Sequence, residues 1–348
     1  MIYIKLLKQN KLFMEFKFNK KEYRKLSNVQ TQIAIKFIKD KFQGYLSKNL
    51  NLLRVSAPIF LEQSTGLNDD LNGVERKVSF TPLFDNNKTL EVIQSLAKWK
   101  RYALKKYSIK AGDGIYTDMN AIRRDEVLDQ IHSLYVDQWD WEKIIKASDR
   151  NVTYLKNVVL LICDALDKTI KDVKKTFKNI DVKFNKNPFF ITSEKLLQMY
   201  PKLSPSQREN EICKKHNTVF VIGVGDKLSN GFPHDSRAPD YDDWKLNGDL
   251  LVYDKVLKHC IELSSMGIRV DDNSMKYQLK IANKTNRLKF DYHKLIINKK
   301  LPLTIGGGIG QSRLCLYILQ KGHIGEVQAS VWDKKNKDFC SKNNLKLL

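Results

Sequence analysis

Four glycines within five positions stand near the end of this 348-residue chain, in the stretch TIGGGIGQSRL at 304–314. Glycine adopts backbone dihedrals closed to other residues and lets another group approach closely. An apolar run at 314–319 follows, so the pattern predicts a strand that passes through bare backbone into a helix, with Arg313 near the helix start. A helix N-terminus beside a guanidinium group suits an anionic or planar ligand such as a nucleotide.

The glycine stretch fits neither of two common nucleotide-binding motifs. A Walker phosphate-binding loop needs a lysine after its last glycine, but Gln311 follows Gly310. The dinucleotide-binding fingerprint needs a third glycine at the same position. The alternative is a tight junction between a strand and a helix, and this stretch alone leaves both interpretations open.

A second candidate surface follows from the alternation in VDQWDW at 136–141. With the two-residue period of a strand, Gln138 and Asp140 share one face with Val136, and both tryptophans share the other. Buried amide and carboxylate groups need partners. We interpret this face as the wall of a polar pocket, where a carboxylate receives an ammonium group and an amide orients a substrate. The alternative is a plain edge strand.

Two basic clusters lie upstream of this strand. In QSLAKWKR at 94–101, Lys98 and Arg101 are three positions apart and Lys100 lies off their face of a helix. The segment IRRDE at 122–126 is polar and loop-like, between strand candidates. Such patterns are also typical of a solvated helix start and of a surface turn, so the two clusters assign no ligand by themselves.

The densest polar cluster contains five carboxylates and ends at an arginine: Asp240, Asp242, Asp243, Asp249, Glu262 and Arg269. Carboxylates at strand ends can hold Mg²⁺ that bridges the phosphates of a nucleotide. They can also bind a substrate amine. Solvated acidic turns are the alternative, which the interleaved Tyr241, Trp244, Leu263 and Met266 disfavour.

Hydrophobic periodicity and turn residues predict the elements that must position these side chains. Helices are predicted at 31–50, 95–110, 151–174 and 204–216, the last opened by a capping box at Ser204 and Gln207. Strands are predicted at 52–57, 74–80, 90–94, 134–139, 189–192, 219–224, 250–253 and 260–265. Residues 66–73 are a polar loop that carries Asp69 and Asp70. Without regular alternation of helix and strand, the predicted fold class is α+β with a largely antiparallel sheet flanked by helices.

Composition limits the class of protein. No apolar run approaches the roughly 18 residues of a membrane span, and the five scattered cysteines favour a reducing compartment without a zinc site. The net charge of +22 suggests nucleic acid, but only 12 of the 61 basic residues are arginine, the residue that bidentate recognition favours. Nucleic-acid binding is therefore not expected. We expect one domain at 23–348, preceded by an N-terminal extension at 1–22.

Six motifs carry a resemblance to a known family: SLAKWKR at 95–101, YVDQWDWE at 135–142, RAPDYDDW at 237–244, LNGD at 246–249, ELSSMGIRV at 262–270 and TIGGGIGQSRL at 304–314. In this order they resemble ammonia-dependent asparagine synthetase, also called aspartate–ammonia ligase, over about residues 23–332. The resemblance implies a catalytic core like that of the class II aminoacyl-tRNA synthetases, a cytoplasmic homodimer, and the use of ATP with Mg²⁺. It also implies that L-aspartate is activated on its side-chain carboxylate as an acyl-adenylate with release of pyrophosphate. Ammonia then yields L-asparagine and AMP.

The resemblance implies roles for the nucleotide-binding residues. Arg123 corresponds to the arginine that grips the α-phosphate, although Arg124 follows it where the family often has proline. Arg313 corresponds to the arginine that stacks on the adenine, and the glycines around Gly308 are expected to leave room for the purine. The other nucleotide positions are Tyr241, Asp242 and Asp249, and the magnesium ligands are Asp249 and Glu262.

The amino-acid pocket is expected to contain Asp69, Ser95, Lys100, Gln138, Asp140, Ser264, Ser265 and Arg269. Asp69 suits the α-ammonium group or the incoming ammonia, while Lys100 and Arg269 suit the two carboxylates of the substrate. With Arg123 and Arg313, Asp69 and Lys100 are the expected catalytic residues.

Two other functions remain open. One is an aspartyl- or asparaginyl-tRNA synthetase-like paralogue that binds aspartate or tRNA, although residues 1–22 are too few for the anticodon-binding barrel of those enzymes. The other is a non-catalytic binding paralogue, which the presence of all the motif residues argues against.

Overall fold

A computed structural model describes residues 16–69, 71 and 75–348, so most of the expected extension at 1–22 and Asp70 lie outside the described residues. We number the elements in chain order. The helices are α1 (Asn28–Leu50), α2 (Ala97–Lys106), α3 (Val152–Thr176), α4 (Ser193–Met199), α5 (Pro205–His216), α6 (Asp272–Ile281), α7 (Asp291–Ile297), α8 (Gln311–Ile318) and α9 (Lys334–Lys342). The strands are β1 (Leu52–Arg54), β2 (Phe60–Glu62), β3 (Ser79–Phe80), β4 (Leu90–Val92), β5 (Gly114–Ile122), β6 (Tyr135–Ile144), β7 (Phe189–Thr192), β8 (Thr218–Ile222), β9 (Asp242–Asp254), β10 (His259–Arg269) and β11 (Thr304–Gly310).

Local sequence signals start several helices. The capping box predicted for α5 is confirmed, because Ser204 Oγ accepts from Gln207 N at 3.4 Å and Gln207 Oε1 accepts from Ser204 N at 2.9 Å. Pro205 occupies the first helical position, where its missing N–H is not needed. None of the helices in the described part of the chain combines the length and apolarity of a membrane span.

The main sheet has eight strands in the order β1-β5-β6-β11-β10-β9-β8-β7. Only the outermost pairs, β1 with β5 and β7 with β8, are parallel, and the six inner strands pair antiparallel. Strands β2, β4 and β3 form a separate small sheet. The predicted α+β fold with a largely antiparallel sheet is therefore confirmed.

The long helices α1 and α3 cover one face of the main sheet. Phe42 of α1 packs on Trp139 of β6 with ring centroids 4.7 Å apart, and Ile309 of β11 and Leu250 of β9 belong to the same core. Because side chains alternate along a strand, Gln138 and the residues in register with it project to the other face. That second face carries most of the predicted site residues.

Several strands differ in length from their predictions. Strands β9 and β10 contain 13 and 11 residues, far more than the predicted 250–253 and 260–265. Polar residues such as Asp242, Asn247 and Asp249 interrupt the apolar pattern of β9, and this concealed its length. The strand predicted at 74–80 is limited to Ser79–Phe80 among the described residues.

Candidate active site

Four adjacent strands bring predicted site residues into one row. Asp140 of β6 lies opposite Gly308 of β11, Gly308 lies opposite Ser265 of β10, and Ser265 lies opposite Asp249 of β9. Directly opposed residues project to the same face of a sheet. Gln138, two residues before Asp140, shares that face. The sheet therefore presents two carboxylates, a hydroxyl and an amide together, beside a position with no side chain.

Ser264 lies on the other face. It is opposite Ile309 and Leu250, which belong to the core under α1 and α3. Its side chain is therefore separated from Ser265 by the thickness of the sheet, so the structure does not bring the Ser264 side chain into the row.

The glycines of β11 make room for side chains of this chain. A β-carbon on Gly306 would overlap Glu142 Oε2 and lie 2.6 Å from Arg269 Nη2. A β-carbon on Gly308 would overlap Gln138 Oε1. Glu142 and Gln138 thus occupy the space beside Gly306 and Gly308 in which a purine was expected. The strand itself continues into α8 as predicted.

Lys100 reaches the row from α2. Its ammonium group is buried, donates to the Gly307 carbonyl at 2.9 Å and lies 3.4 Å from Asp140 Oδ1. Burial lowers the pKa of Lys100, while the charge of Asp140 opposes the shift. The other two basic residues of the cluster at 94–101 contact the surrounding fold instead. Arg101 donates to the carbonyls of Pro302 and Val270, and Lys98 lies 3.7 Å from Asp240.

Arg269 lies at the centre of a buried ion-pair network. Its Nε donates to Glu142 Oε1 at 3.0 Å, its Nη2 donates to Glu142 Oε2 at 2.7 Å, and its Nη1 donates to Asp242 Oδ1. Burial raises the pKa of Asp242 although Arg269 opposes the shift. The Tyr241 ring centroid is 5.8 Å from Arg269 Cζ. The sequence analysis did not single out Glu142, but the two-residue period through Gln138 and Asp140 extends to it.

The acidic residues of the metal prediction lie at the β9–β10 end of the row. Arg237 pairs with Asp249 Oδ2, and Arg313 Nη1 donates to the Glu262 carbonyl at 3.2 Å. Burial raises the pKa of Asp249, the charge of Glu262 raises it further, and Arg237 opposes the shift. Among the described residues, no group of three or more His, Cys, Asp or Glu side chains could hold a metal ion. A metal ion here would need further oxygen ligands.

Two of the five carboxylates of the acidic cluster belong to other ion pairs. Asp240 is buried against Arg287 Nη1 at 2.7 Å and His293 Nε2 at 3.0 Å. Asp243 pairs with Arg150 Nη2 at 2.8 Å. These two carboxylates stabilise the fold around the row.

The two arginines after β5 differ in exposure. Arg123 is half-buried, with its Nε buried and without a hydrogen-bond partner among the described residues, whereas Arg124 is exposed. The carboxylate of Asp125, just after the pair, forms an ion pair with Arg76 and not with either of these arginines. The structure favours Arg123 as the ligand-facing residue.

Asn68 links the loop that contains Asp69 to the end of β4 by hydrogen bonds. Its Oδ1 accepts from Asp69 N at 2.9 Å and from Gln94 N at 3.0 Å, and its Nδ2 donates to the Val92 carbonyl at 3.1 Å. Ser95 Oγ accepts from Ala97 N at 3.1 Å in the first turn of α2. Asn68 was missed because its partners Gln94 and Val92 are more than twenty positions away in the sequence.

Several of the buried polar atoms without hydrogen bonds belong to residues of the row or of the clusters noted in the sequence. Within the described residues they include Asp140 Oδ2, Asp249 Oδ1, Arg123 Nε and both amide atoms of Gln94. Such atoms are rare in folded proteins because each costs about 1–3 kcal/mol. Asp140, Asp249 and Arg123 can therefore each make one more hydrogen bond to a polar ligand, whereas Trp139 Nε1 and Trp141 Nε1 lie on the core face of β6.

The chain was compared with known proteins. The sequence profile of the aspartate-ammonia ligase family matches residues 29–344. An aspartate–ammonia ligase of Malacoplasma penetrans is 53% identical over 324 residues, which cover 93% of this chain and 99% of that protein. One of Clostridium perfringens is 51% identical over 336 residues, covering 96% of this chain and all of that protein.

Solved structures show the same fold at low sequence identity. Asparaginyl-tRNA synthetase from Pyrococcus horikoshii, complexed with asparaginyl-adenylate, is 15% identical with a TM-score of 0.64, covering 88% of this chain and 70% of that chain. Asparaginyl-tRNA synthetase from Entamoeba histolytica is 14% identical with a TM-score of 0.61. The match covers 86% of this chain and 66% of that chain, which is just under two thirds. Because the family profile and relatives at about 51% identity match over nearly all of its length, this chain belongs to the aspartate–ammonia ligase family.

Proposed function

We propose that this protein synthesises L-asparagine from L-aspartate and ammonia at the expense of ATP, through a β-aspartyl-adenylate. The row of Asp140, Ser265 and Asp249 carries the proposal, because both carboxylates have a buried oxygen without a hydrogen bond and the buried cations Lys100 and Arg269 lie beside them. A side-chain oxygen of aspartate attacks the α-phosphorus and displaces pyrophosphate. The nitrogen of ammonia then attacks the carbonyl carbon, displaces AMP and loses a proton.

The buried charges suit an amino acid with two carboxylates. Arg269 and Lys100 supply the cations, and Asp140 and Asp69 supply carboxylates for the α-ammonium group or the ammonia. Gln138 adds an amide on the same face as Asp140. In a water-poor site these interactions are stronger than in solvent.

The nucleotide is proposed to lie between the two arginines that flank the row. The unpartnered Nε of Arg123 supports a contact with the α-phosphate, where a cation stabilises the charge that develops during attack. Arg313, at the start of α8, is proposed to stack on the adenine. Tyr241 and Asp242 lie beside Arg269 and are proposed to contact the nucleotide.

Magnesium is proposed as the metal, held by Asp249 and Glu262. The buried, unpartnered Asp249 Oδ1 fits a hard cation, and Mg²⁺ commonly takes one or two carboxylates with phosphate oxygens and water as its other ligands. When bound, the metal would neutralise phosphate charge.

We also propose a cytoplasmic homodimer. The small sheet and its turn expose Phe60, Phe80, Leu83 and Phe84, an apolar group that a second copy would cover. A reducing compartment suits the free thiols of Cys213 and Cys260, whose Sγ atoms are 3.0 Å apart.

The decisive experiment identifies the products. Purified protein is supplied with ATP, Mg²⁺, L-aspartate and ammonium, and with each component omitted in turn. We expect AMP, pyrophosphate and asparagine in equal amounts, with AMP dependent on aspartate. Formation of ADP, or charging of tRNA with no free asparagine, would contradict the proposal.

A further inference from the structure

Glu142 lies one step along the sheet from the row of site residues. It follows Gln138 and Asp140 on β6 at intervals of two, so all three side chains project to the same face. Its carboxylate is fully buried. It lies opposite Gly306, whose missing side chain leaves the space that the carboxylate occupies.

The carboxylate of Glu142 has a complete set of partners. Oε1 accepts from Arg269 Nε at 3.0 Å and from Thr304 Oγ1 at 2.7 Å, and Oε2 accepts from Arg269 Nη2 at 2.7 Å. The pair is thus bidentate along one edge of the guanidinium group. Bidentate pairs fix the orientation of the plane as well as its position.

The donors that remain on Arg269 define what it can bind. A guanidinium group has five N–H bonds. The Nε–H and one N–H on Nη2 donate to Glu142, and one N–H on Nη1 donates to Asp242. One N–H on each Nη is left, and these two donors are available to a further carboxylate.

A gain in stability does not by itself explain the buried Glu142–Arg269 ion pair. Replacing a buried ion pair by apolar residues of similar volume is often neutral or stabilising, since two charges lose their hydration. Here the glycine at 306 is itself required by the pair, because a β-carbon there would overlap Glu142 Oε2. An arrangement that needs both a buried pair and a bare backbone position points to a role beyond packing.

We propose that Glu142 is a positioning residue that orients Arg269, so that its last two N–H donors face one carboxylate of the aspartate substrate. This inference rests on the proposed function, since it assigns Arg269 to the amino acid. Glu142 itself does not touch the substrate. Its removal should weaken aspartate binding and leave the nucleotide steps unaffected.

The test uses the full chain with Glu142→Gln, which keeps the shape and removes the charge. We expect the KM for aspartate to rise about 10- to 100-fold, as for loss of a charge-assisted hydrogen bond. The KM values for ATP and ammonium should stay within about twofold, because their sites do not include this pair. A purely structural role would instead lower the melting temperature and the active fraction, with an unchanged KM for aspartate.

Two further variants keep the inference testable if Glu142→Gln does not fold. Thr304→Val removes the hydroxyl donor to Glu142 Oε1 but keeps both charges of the pair, so we expect a smaller rise of the same KM, about three- to tenfold. In an Arg269→Lys background, Thr304→Val should add little, because the two residues act through one unit. An unchanged KM for aspartate in every folded variant overturns the inference.

Aspartate binding measured by calorimetry separates this inference from the proposed function. If the wild-type chain makes no asparagine, the proposed function fails. The role of Glu142 then stands only if aspartate binds the wild-type chain and binds Glu142→Gln about 10- to 100-fold more weakly. If the wild-type chain makes asparagine and both proteins bind aspartate equally well, the inference alone fails.

Discussion

Gly308 of β11 lies directly opposite Asp140 of β6, and a β-carbon on Gly308 would lie 2.7 Å from Asp140 Oδ1. The same β-carbon would overlap Gln138 Oε1. The absence of a side chain at Gly308 therefore leaves the space in which the Gln138 and Asp140 side chains lie. Gly306 does the same for Glu142, which pairs with Arg269. The glycines of β11 thus leave the space that the polar side chains of β6 occupy.

Gly308→Ala should damage the site more than the fold. The atoms that the new methyl group meets are the ends of flexible side chains, which can move aside. We expect the KM for aspartate to rise about tenfold or more, equivalent to about 1.4 kcal/mol. Steady-state kinetics with varied aspartate measures this.

A matched control for that substitution is Gly44→Ala. Gly44 lies inside α1 with no atom within 4 Å of an added β-carbon. Alanine there should stabilise the protein by about 0.5–1 kcal/mol, because glycine is unfavourable within a helix. It should leave the KM unchanged. A wild-type KM in Gly308→Ala would contradict the role assigned to the bare position.

Arg123→Ala and Arg124→Ala should differ strongly. The half-buried Arg123 has an unpartnered Nε, whereas Arg124 is exposed. Loss of a group that stabilises transition-state charge commonly reduces the rate about 100- to 1,000-fold, and we expect this for Arg123→Ala. Arg124→Ala should stay within about threefold of wild type, as for a typical surface substitution. Aspartate-dependent exchange of pyrophosphate into ATP measures both, and the reverse pattern would assign the phosphate contact to Arg124.

Local signals in the sequence were sufficient for part of this structure. The capping box of α5 depends on residues three positions apart, and the shared face of Gln138 and Asp140 depends on a period of two. The glycine stretch was correctly placed as a strand leading into a helix, although the groups that fill its space were not. These features are fixed by neighbours in the chain.

Long-range pairing accounts for what the sequence did not reveal. Glu142 meets Arg269, 127 positions away, only because β11 and β10 lie beside β6 in the sheet. The choice between Ser264 and Ser265 depends on a register shift in β10 between Glu262 and Ser264. A shift of one residue exchanges the two faces of a strand, and no local pattern reports it.

His259 should contribute a loss of stability in mild acid. Burial lowers the pKa of His259 to about 4, and Phe16 packs against its ring edge-on at 4.9 Å. The unfolded chain takes up this proton near pH 6.5, so the stabilisation is complete above pH 6.5 and is lost as the pH falls towards 4. The loss should reach roughly 2–3 kcal/mol. Urea unfolding at pH 7.5 and pH 4.5 should show a smaller pH-dependent loss for His259→Gln, and equal losses would contradict the assignment.

Arg313→Ala should abolish adenylate formation with a limited effect on the fold. In the structure Arg313 donates to the carbonyls of Ile131 at 3.3 Å and Glu262 at 3.2 Å, so its removal should cost about 1–2 kcal/mol of stability. The expected fall in aspartate-dependent pyrophosphate exchange is larger, about 100-fold or more, because contacts with the adenine and the phosphates are lost together.

Arg313→Lys separates those two contributions. Lysine keeps the positive charge but lacks the planar group that stacks on an aromatic ring. We therefore expect an exchange rate between those of wild type and Arg313→Ala, with the KM for ATP still raised. If Arg313→Ala exchanges pyrophosphate at the wild-type rate, the bonds to Ile131 and Glu262 are all that Arg313 contributes, and the adenine must be held by another residue.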